Sequence, residues 1–282
     1  MVSMPLSAIT RAVSPSLNDC QLAFLERLPI DIAKAVRQHQ QYEECLRSLG
    51  LAVVSLPALP DLPDAVFVED PVVVLDEVAI MTRLGAASRR GESASLAEAV
   101  ARFRPLRWIT EPGTLEGGDV VRIGSTLFVG RSTRSNDAGI AQLAGELVPL
   151  GYRVQSVELQ GCLHLKSACT YLGRDTLLAN RGGVDLEPFG NLRVIDVAPA
   201  ELAAADVLAI DDTIIIASSF PATAYILDRA GWRVLPIDVS ELQKAEAGVT
   251  CMSLIFPESK RVECRPQAHS TGRGLEKRTS EI

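Results

Sequence analysis

Val120-Val-Arg-Ile-Gly-Ser-Thr-Leu-Phe-Val129 reads as a hairpin, two short runs of strand-forming residues interrupted by the turn pair Gly124-Ser125. Three other stretches repeat it. Val72-Val-Val-Leu-Asp-Glu-Val-Ala-Ile-Met81 turns at Asp76-Glu77, Thr170-Tyr-Leu-Gly-Arg-Asp-Thr-Leu-Leu-Ala179 at Arg174-Asp175, and Val207-Leu-Ala-Ile-Asp-Asp-Thr-Ile-Ile-Ile-Ala217 at Asp211-Asp212. A second pattern accompanies the first. Ser48-Leu-Gly-Leu-Ala-Val-Val54, Pro149-Leu-Gly-Tyr-Arg-Val154 and Arg229-Ala-Gly-Trp-Arg-Val234 each end a helix at a capping glycine and continue into an apolar alternation suited to a strand, with a looser copy in Phe103-Arg-Pro-Leu-Arg-Trp-Ile109. Ahead of the first copy, Ala33, Val36, Cys45, Leu46 and Leu49 recur among Lys34, Arg37, Glu43, Glu44 and Arg47, which predicts a surface helix between Leu22 and Leu49.

One module, hairpin then helix then strand, therefore repeats with a period of roughly 50 residues. Modules that each carry one apolar face must stack or close to bury it, and a ring of about five fits this length. A conventional α/β sheet would not explain four hairpins followed by helices. The expected fold is α/β, a propeller-like ring in a single domain over residues 1–256. Residues 257–282, rich in Lys, Arg, Ser, Glu and Gly, read as a polar tail, disordered or foreign to the natural chain.

Composition narrows the function. With 282 residues, 47% of them hydrophobic and 22% charged, the chain can bury a sizeable core. A net charge of -7 argues against nucleic acid, because counterion release needs a clustered cationic face. No apolar run approaches the roughly 20 residues that span a bilayer, and the first residues lack a basic segment leading into an apolar one, so no membrane role and a cytoplasmic location are expected. Six cysteines, Cys20, Cys45, Cys162, Cys169, Cys251 and Cys264, are too sparse for a disulfide framework.

Few residues can carry chemistry. Cys251 stands between Thr250 and the apolar run Ser253-Leu-Ile-Phe256, a loop-to-strand junction that can present a sulfur at a domain face; the bland alternative is an inert buried thiol. His164, between Leu163 and Leu165, would in a strand point away from those leucines; a satisfied core histidine is its alternative. Cys162, His164 and Cys169 match none of the common zinc spacings, so no metal is expected. Glu116 precedes Gly117-Gly118, where the backbone can turn sharply and bring a carboxylate close to another strand. Glu69 and Asp70 follow the apolar Val66-Phe67-Val68 and precede Pro71, and an acid pair abutting such a run suits a cation, a planar guanidinium above all. Arg89, Arg90, Arg131 and Arg134 lie in polar loops after the hairpins, as solvated charges or binding groups.

Together these motifs resemble the dimethylarginine dimethylaminohydrolases, members of the guanidine-modifying superfamily with a five-bladed α/β propeller, or pentein, fold. Asp61-Leu-Pro-Asp-Ala-Val-Phe-Val-Glu-Asp70, Ser88-Arg-Arg90, Leu115-Glu-Gly-Gly-Asp119, Leu163-His-Leu-Lys-Ser167 and Thr250-Cys251 carry the resemblance, in the family's order and spacing from about Leu17 to Phe256. It implies Cys251 as nucleophile, His164 as general acid and base, and Glu116 as the carboxylate that orients the histidine. It implies further that Asp70 with Glu69 grips the substrate guanidinium and that Asp64 supports that end of the pocket. Arg89 and Arg134 would bind the α-carboxylate, and Leu17 and Ala245 would contact or close over the amino-acid end. The implied reaction is hydrolysis of methylated arginines to citrulline without metal or organic cofactor, by a monomer or homodimer. An arginine deiminase or amidinotransferase would use the same Cys, His and acid set, and a non-catalytic binding protein on the same propeller would need none of it.

Overall fold

A computed structural model describes residues 5–258 of the chain. Strand β1 (Leu6–Arg11) leads through helix α1 (Ile32–Ser48) to β2 (Ala52–Leu56), which runs parallel to β1 with Ser7 opposite Ala52. Next, β3 (Val72–Val74) and β4 (Ala79–Met81) form the first hairpin, Val72 facing Met81, and α2 (Ser93–Val100) carries the chain to β5 (Leu106–Trp108), parallel to β4. The order repeats in β6 (Val120–Ile123), β7 (Thr126–Arg131), α3 (Asp137–Leu147) and β8 (Arg153–Glu158). After the one-turn α4 (Leu165–Ala168), a fourth sheet holds β9 (Cys169–Gly173), β10 (Thr176–Ala179) and β11 (Arg193–Asp196). Its crossover contains a single 3-10 turn at Glu187–Phe189 where the repeat predicts a helix. The fifth sheet is β12 (Leu208–Ile210), β13 (Thr213–Ala217) and, beyond α5 (Pro221–Arg229), β14 (Arg233–Ile237).

Closure comes from the two ends of the chain. Following α6 (Ser240–Gln243), β15 (Leu254–Pro257) pairs antiparallel with β1, Leu6 opposite Pro257. All five three-stranded sheets thus share one plan, an antiparallel pair extended by a parallel third strand. The inner strands β3, β6, β9, β12 and β15, one per sheet, border a common cavity of about 340 Å³, the axis of a five-bladed ring.

Local chemistry explains the repeat. Gly50, Gly151 and Gly231, the shared capping glycines, have φ of +88°, +89° and +91°, the left-handed conformation that ends a helix without a Cβ penalty. Helix α1 lies within the span from Leu22 to Leu49 and starts at Ile32, beside the first residue of its apolar pattern, Ala33. Pro29 lacks the amide a helix interior needs, and Asp31 caps the first turn by accepting from the Lys34 amide at 2.9 Å. Residues 21–30 form a loop that leaves Phe24, Leu25 and Leu28 exposed. The helix buries Ala35, Tyr42 and Leu46 against the first and fifth sheets, and full burial of a side chain such as Leu46 contributes about 1.5–3 kcal/mol. The last strand runs to Pro257, one residue into the segment read as a tail; residues 259–282 lie outside the described part. No helix among the described residues is long and apolar enough to cross a membrane.

Candidate active site

Groups of opposite charge gather at one end of the ring because the chain enters four of its inner strands there. Asp64 to Asp70 lead into β3, Glu116 and Asp119 into β6, His164 into α4 and β9, and Cys251 into β15. His164 is extended, not part of a strand: it precedes the single turn of α4 with φ −136° and ψ 164°. That turn is tied down by Asp119, whose Oδ1 accepts from the Leu165 amide at 3.0 Å while Oδ2 accepts from the Ser132 and Ser135 hydroxyls, each at 2.6 Å.

The imidazole is held by carboxylates. Its Nε2 lies 2.8 Å from Glu116 Oε2 and 4.0 Å from Asp70 Oδ1, and all three residues are buried. Burial opposes a charge on the ring, but Asp70, Asp119 and Glu116 outweigh it and push the imidazole up to about 9, so at neutral pH it is protonated. The second oxygen of Glu116 accepts from the Gly85 amide at 3.0 Å, and Asp70 Oδ1 accepts from the Gly118 amide at 3.2 Å. Burial would raise the Asp70 carboxyl, but His164 and Arg89 together hold it below its ordinary range.

Two glycines allow this approach. A Cβ on Gly118 would stand 2.7 Å from His164 Nδ1, and one on Gly117 would stand 2.1 Å from the Glu69 carbonyl oxygen. Gly117→Ala is therefore expected to destabilise the protein by about 1–3 kcal/mol, as overpacking does. Gly145→Ala, in α3 with open space around it, should be neutral or stabilising. Thermal unfolding of the pair checks this.

The two arginines differ. Arg89 is fully engaged, donating Nε and Nη2 to Glu92, each at 2.9 Å, and Nη1 to Asp70 Oδ2 at 2.8 Å. Its fork is filled by protein carboxylates, and Glu92, pushed up to about 7 by burial against the pull of Arg89, belongs to the same cluster. Buried Arg134, by contrast, has an Nη1 with no hydrogen-bond partner, 3.7 Å from Glu116 Oε1. Arg131 points elsewhere, half-exposed between Asp137 and Glu158.

Across the cavity, Cys251 Sγ lies 3.4 Å from the Gly248 amide and 4.0 Å from Asp206 Oδ2. Burial and the carboxylates of Asp206, Glu69 and Asp70 push its thiol well above the ordinary value. Asp64, Asp70, Arg89, Arg134, His164, Ala245 and Cys251 all line this one cavity. A chain in Streptomyces coelicolor named N(G),N(G)-dimethylarginine dimethylaminohydrolase is 41% identical over 254 residues, covering 89% of this chain and 97% of that one.

The chain belongs to the dimethylarginine dimethylaminohydrolase family. The Pseudomonas aeruginosa relative of that name is 38% identical over 80% of this chain and 90% of its own. A family model described as arginine deiminase matches residues 57–204. Among solved structures, a cysteine-to-serine mutant of the Pseudomonas aeruginosa dimethylarginine dimethylaminohydrolase complexed with citrulline superposes with a TM-score of 0.85 at 35% identity, covering 90% of this chain and 100% of that one. The pentein fold expected from the motifs is the fold observed.

Not every residue implied by membership of the dimethylarginine dimethylaminohydrolase family reaches the cavity. Glu116 stands behind His164 and reaches it through the ring. Glu69 turns to the axial cavity, because Lys166 Nζ at 2.5 Å and the Thr250 hydroxyl at 2.7 Å take both its oxygens. Leu17 is fully buried in the core, and its side chain does not line the cavity. Asp64 does line it, and accepts from the Gln21 amide at 3.1 Å. Glu92, Lys166, Asp119 and Asp206 were missed. Glu92 lies three residues beyond Arg89, Asp119 closes one of the quoted motifs and Lys166 lies inside another. Asp70, Glu116 and His164 are close enough to share a cation, but Arg89 and the Gly85 and Gly118 amides occupy the carboxylate oxygens and the ring is itself charged, so the donor set suits an internal ion cluster better than a metal.

Proposed function

We propose that the protein hydrolyses Nω-methylated arginines, asymmetric dimethylarginine and monomethylarginine, to citrulline and dimethylamine or methylamine. The observation that carries the reading is the convergence of Cys251, a carboxylate-held His164 and the unsatisfied Arg134 donor on one cavity. Asp70 lies where a carboxylate can hold the guanidinium, and Arg134 supplies an anion partner for the α-carboxylate. Cys251 gives up its thiol proton to solvent and attacks the guanidinium carbon as the thiolate, and the C–N bond to the methylated nitrogen breaks as His164 gives that nitrogen its proton. An S-alkylthiouronium remains on Cys251. Neutral His164 then takes a proton from water, the hydroxide adds to the same carbon, and the C–S bond breaks to release citrulline and the thiol.

Arg134→Met, which keeps the bulk and removes the charge, should raise KM by about 10–100-fold with a smaller change in kcat, the scale of a lost charged hydrogen bond. Steady-state kinetics separate the two. Unmethylated arginine is the competing substrate, favoured by the match to the arginine deiminase model. One or two methyl groups change discrimination by only about 1–3 kcal/mol in an apolar pocket, so the substrates are best compared side by side. Citrulline from the methylated arginines in preference to arginine is expected; preference for arginine would overturn the substrate assignment. Among the described residues Cys20, Cys45, Cys162, Cys169 and Cys251 are free thiols, which suits the reducing, cytoplasmic setting proposed for this enzyme, a monomer or homodimer acting on a small-molecule substrate.

A further inference from the structure

One buried acid of the cluster is held by neutral donors alone. Asp119 ends the Leu115-Glu-Gly-Gly-Asp119 motif in the 3-10 turn Gly117–Asp119 ahead of β6, and is fully buried. The Leu165 amide donates to its Oδ1, the Ser132 and Ser135 hydroxyls donate to its Oδ2, and among the described residues no cation lies within ion-pair distance of it. Burial pushes the carboxyl up to about 6 against the pull of His164 and those donors, so at neutral pH it is ionised. Each donor leads to a different site residue. The Leu165 amide directly follows His164. The Ser135 hydroxyl accepts from the Glu116 amide at 3.0 Å, and the Ser132 hydroxyl accepts from the Arg134 amide at 3.0 Å and the Ser135 amide at 3.1 Å. Gly130 of β7 makes the space, since a Cβ there would fall 2.9 Å from Asp119 Oδ1.

We propose that Asp119 is a positioning residue that sets His164, Glu116 and Arg134 relative to one another, with Ser135 as its arm to the Glu116–His164 pair and Ser132 as its arm to the anion-binding arginine. One carboxylate ties the segment it belongs to, 115–119, to residues 132–135 and to the turn that follows His164. A displacement of about 1 Å in such a set costs on the order of 10²-fold in rate, which gives the arrangement its leverage. The roles of the three groups rest on the proposed hydrolase reading; the hydrogen bonds that join them do not.

Steady-state kinetics separate the two arms. Ser132→Ala should raise KM by about tenfold with a smaller change in kcat, Ser135→Ala should lower kcat by about tenfold with a smaller change in KM, and Asp119→Asn should do both, the scale of a lost hydrogen bond to a charged group. Ser132→Thr keeps the hydroxyl at a half-buried position and should restore KM. Equal losses from the two alanine variants, or none, would reduce Asp119 to a brace for the fold. A second readout needs no turnover: titration of the His164 ring followed by NMR, its signal assigned with His164→Gln. The ring is faced by Glu116, Asp70 and Asp119; Arg89 stands on Asp70, Arg134 near Glu116 and Lys166 on Glu69, and Asp64, Glu246 and Cys251 line the same cavity. Asp119→Asn should lower the midpoint by about one unit, a tenfold change in imidazolium, while Ser132→Ala leaves it in place. An unmoved midpoint in folded Asp119→Asn would overturn the link to His164, whether or not the protein makes citrulline. Should that variant not fold, Ser135→Ala, which frees the Glu116 amide, is read the same way.

Discussion

Cys251→Ser is expected to lower turnover of asymmetric dimethylarginine by about 10⁴-fold or more, the scale on which removal of a covalent nucleophile acts, while binding of the same compound changes little. Serine is smaller by little and keeps a hydrogen-bonding atom near the Gly248 amide, so the cavity and its charged lining persist. What is lost is the polarisable sulfur that can become an anion at accessible pH, since a serine hydroxyl beside Asp206, Glu69 and Asp70 would resist ionisation still more strongly than the thiol does. Single-turnover kinetics and calorimetric titration check the two halves. Unchanged turnover would sink the nucleophile assignment; lost binding would mean that the variant disturbs the cavity.

His164→Gln should cost about 10²–10⁴-fold in kcat, the usual contribution of a positioned acid and base. The pH dependence carries more information. A group that acts as an acid must hold its proton, and the carboxylates around His164 keep it protonated up to about pH 9. The rate of the first chemical step should therefore fall as pH rises through that value. Glu116→Gln removes the carboxylate 2.8 Å from Nε2, so the charged ring loses stabilisation and the alkaline limb moves toward the ordinary histidine value. Glu116→Gln should thus be impaired more at about pH 8 than at about pH 6, the sign expected when a carboxylate that favours the imidazolium is removed. A limb that does not move would assign it to a group other than His164.

The fold was legible because its repeat is written in strong local signals. Hairpin turns at Asp76-Glu77, Gly124-Ser125, Arg174-Asp175 and Asp211-Asp212, and left-handed glycines at positions 50, 151 and 231, are short-range features that read directly from residue type. The fifth antiparallel pair was not, because β15 and β1 meet from opposite ends of the chain. The start of α1 was located only to within the span from Leu22 to Leu49, although its apolar pattern from Ala33 matches the helix observed. Among the proposed site residues, those inside compact motifs, Asp70, Glu116, His164 and Cys251, are the ones the fold gathers at or beside one cavity. Glu69 was paired with Asp70 by adjacency, but the two lie in the turn before β3, and Glu69 binds Lys166 at the axial cavity. Asp206 carries no motif at all; its position emerges only when the five inner strands are superimposed on one axis.

The most direct test of covalent catalysis at Cys251 is acid-quenched mass spectrometry of the wild-type protein turning over asymmetric dimethylarginine. A transient adduct of the thiouronium's mass, localised to the peptide bearing Cys251 and absent from Cys251→Ser, is the predicted result. Citrulline produced with no adduct at any quench time, and still produced by Cys251→Ser, would contradict it.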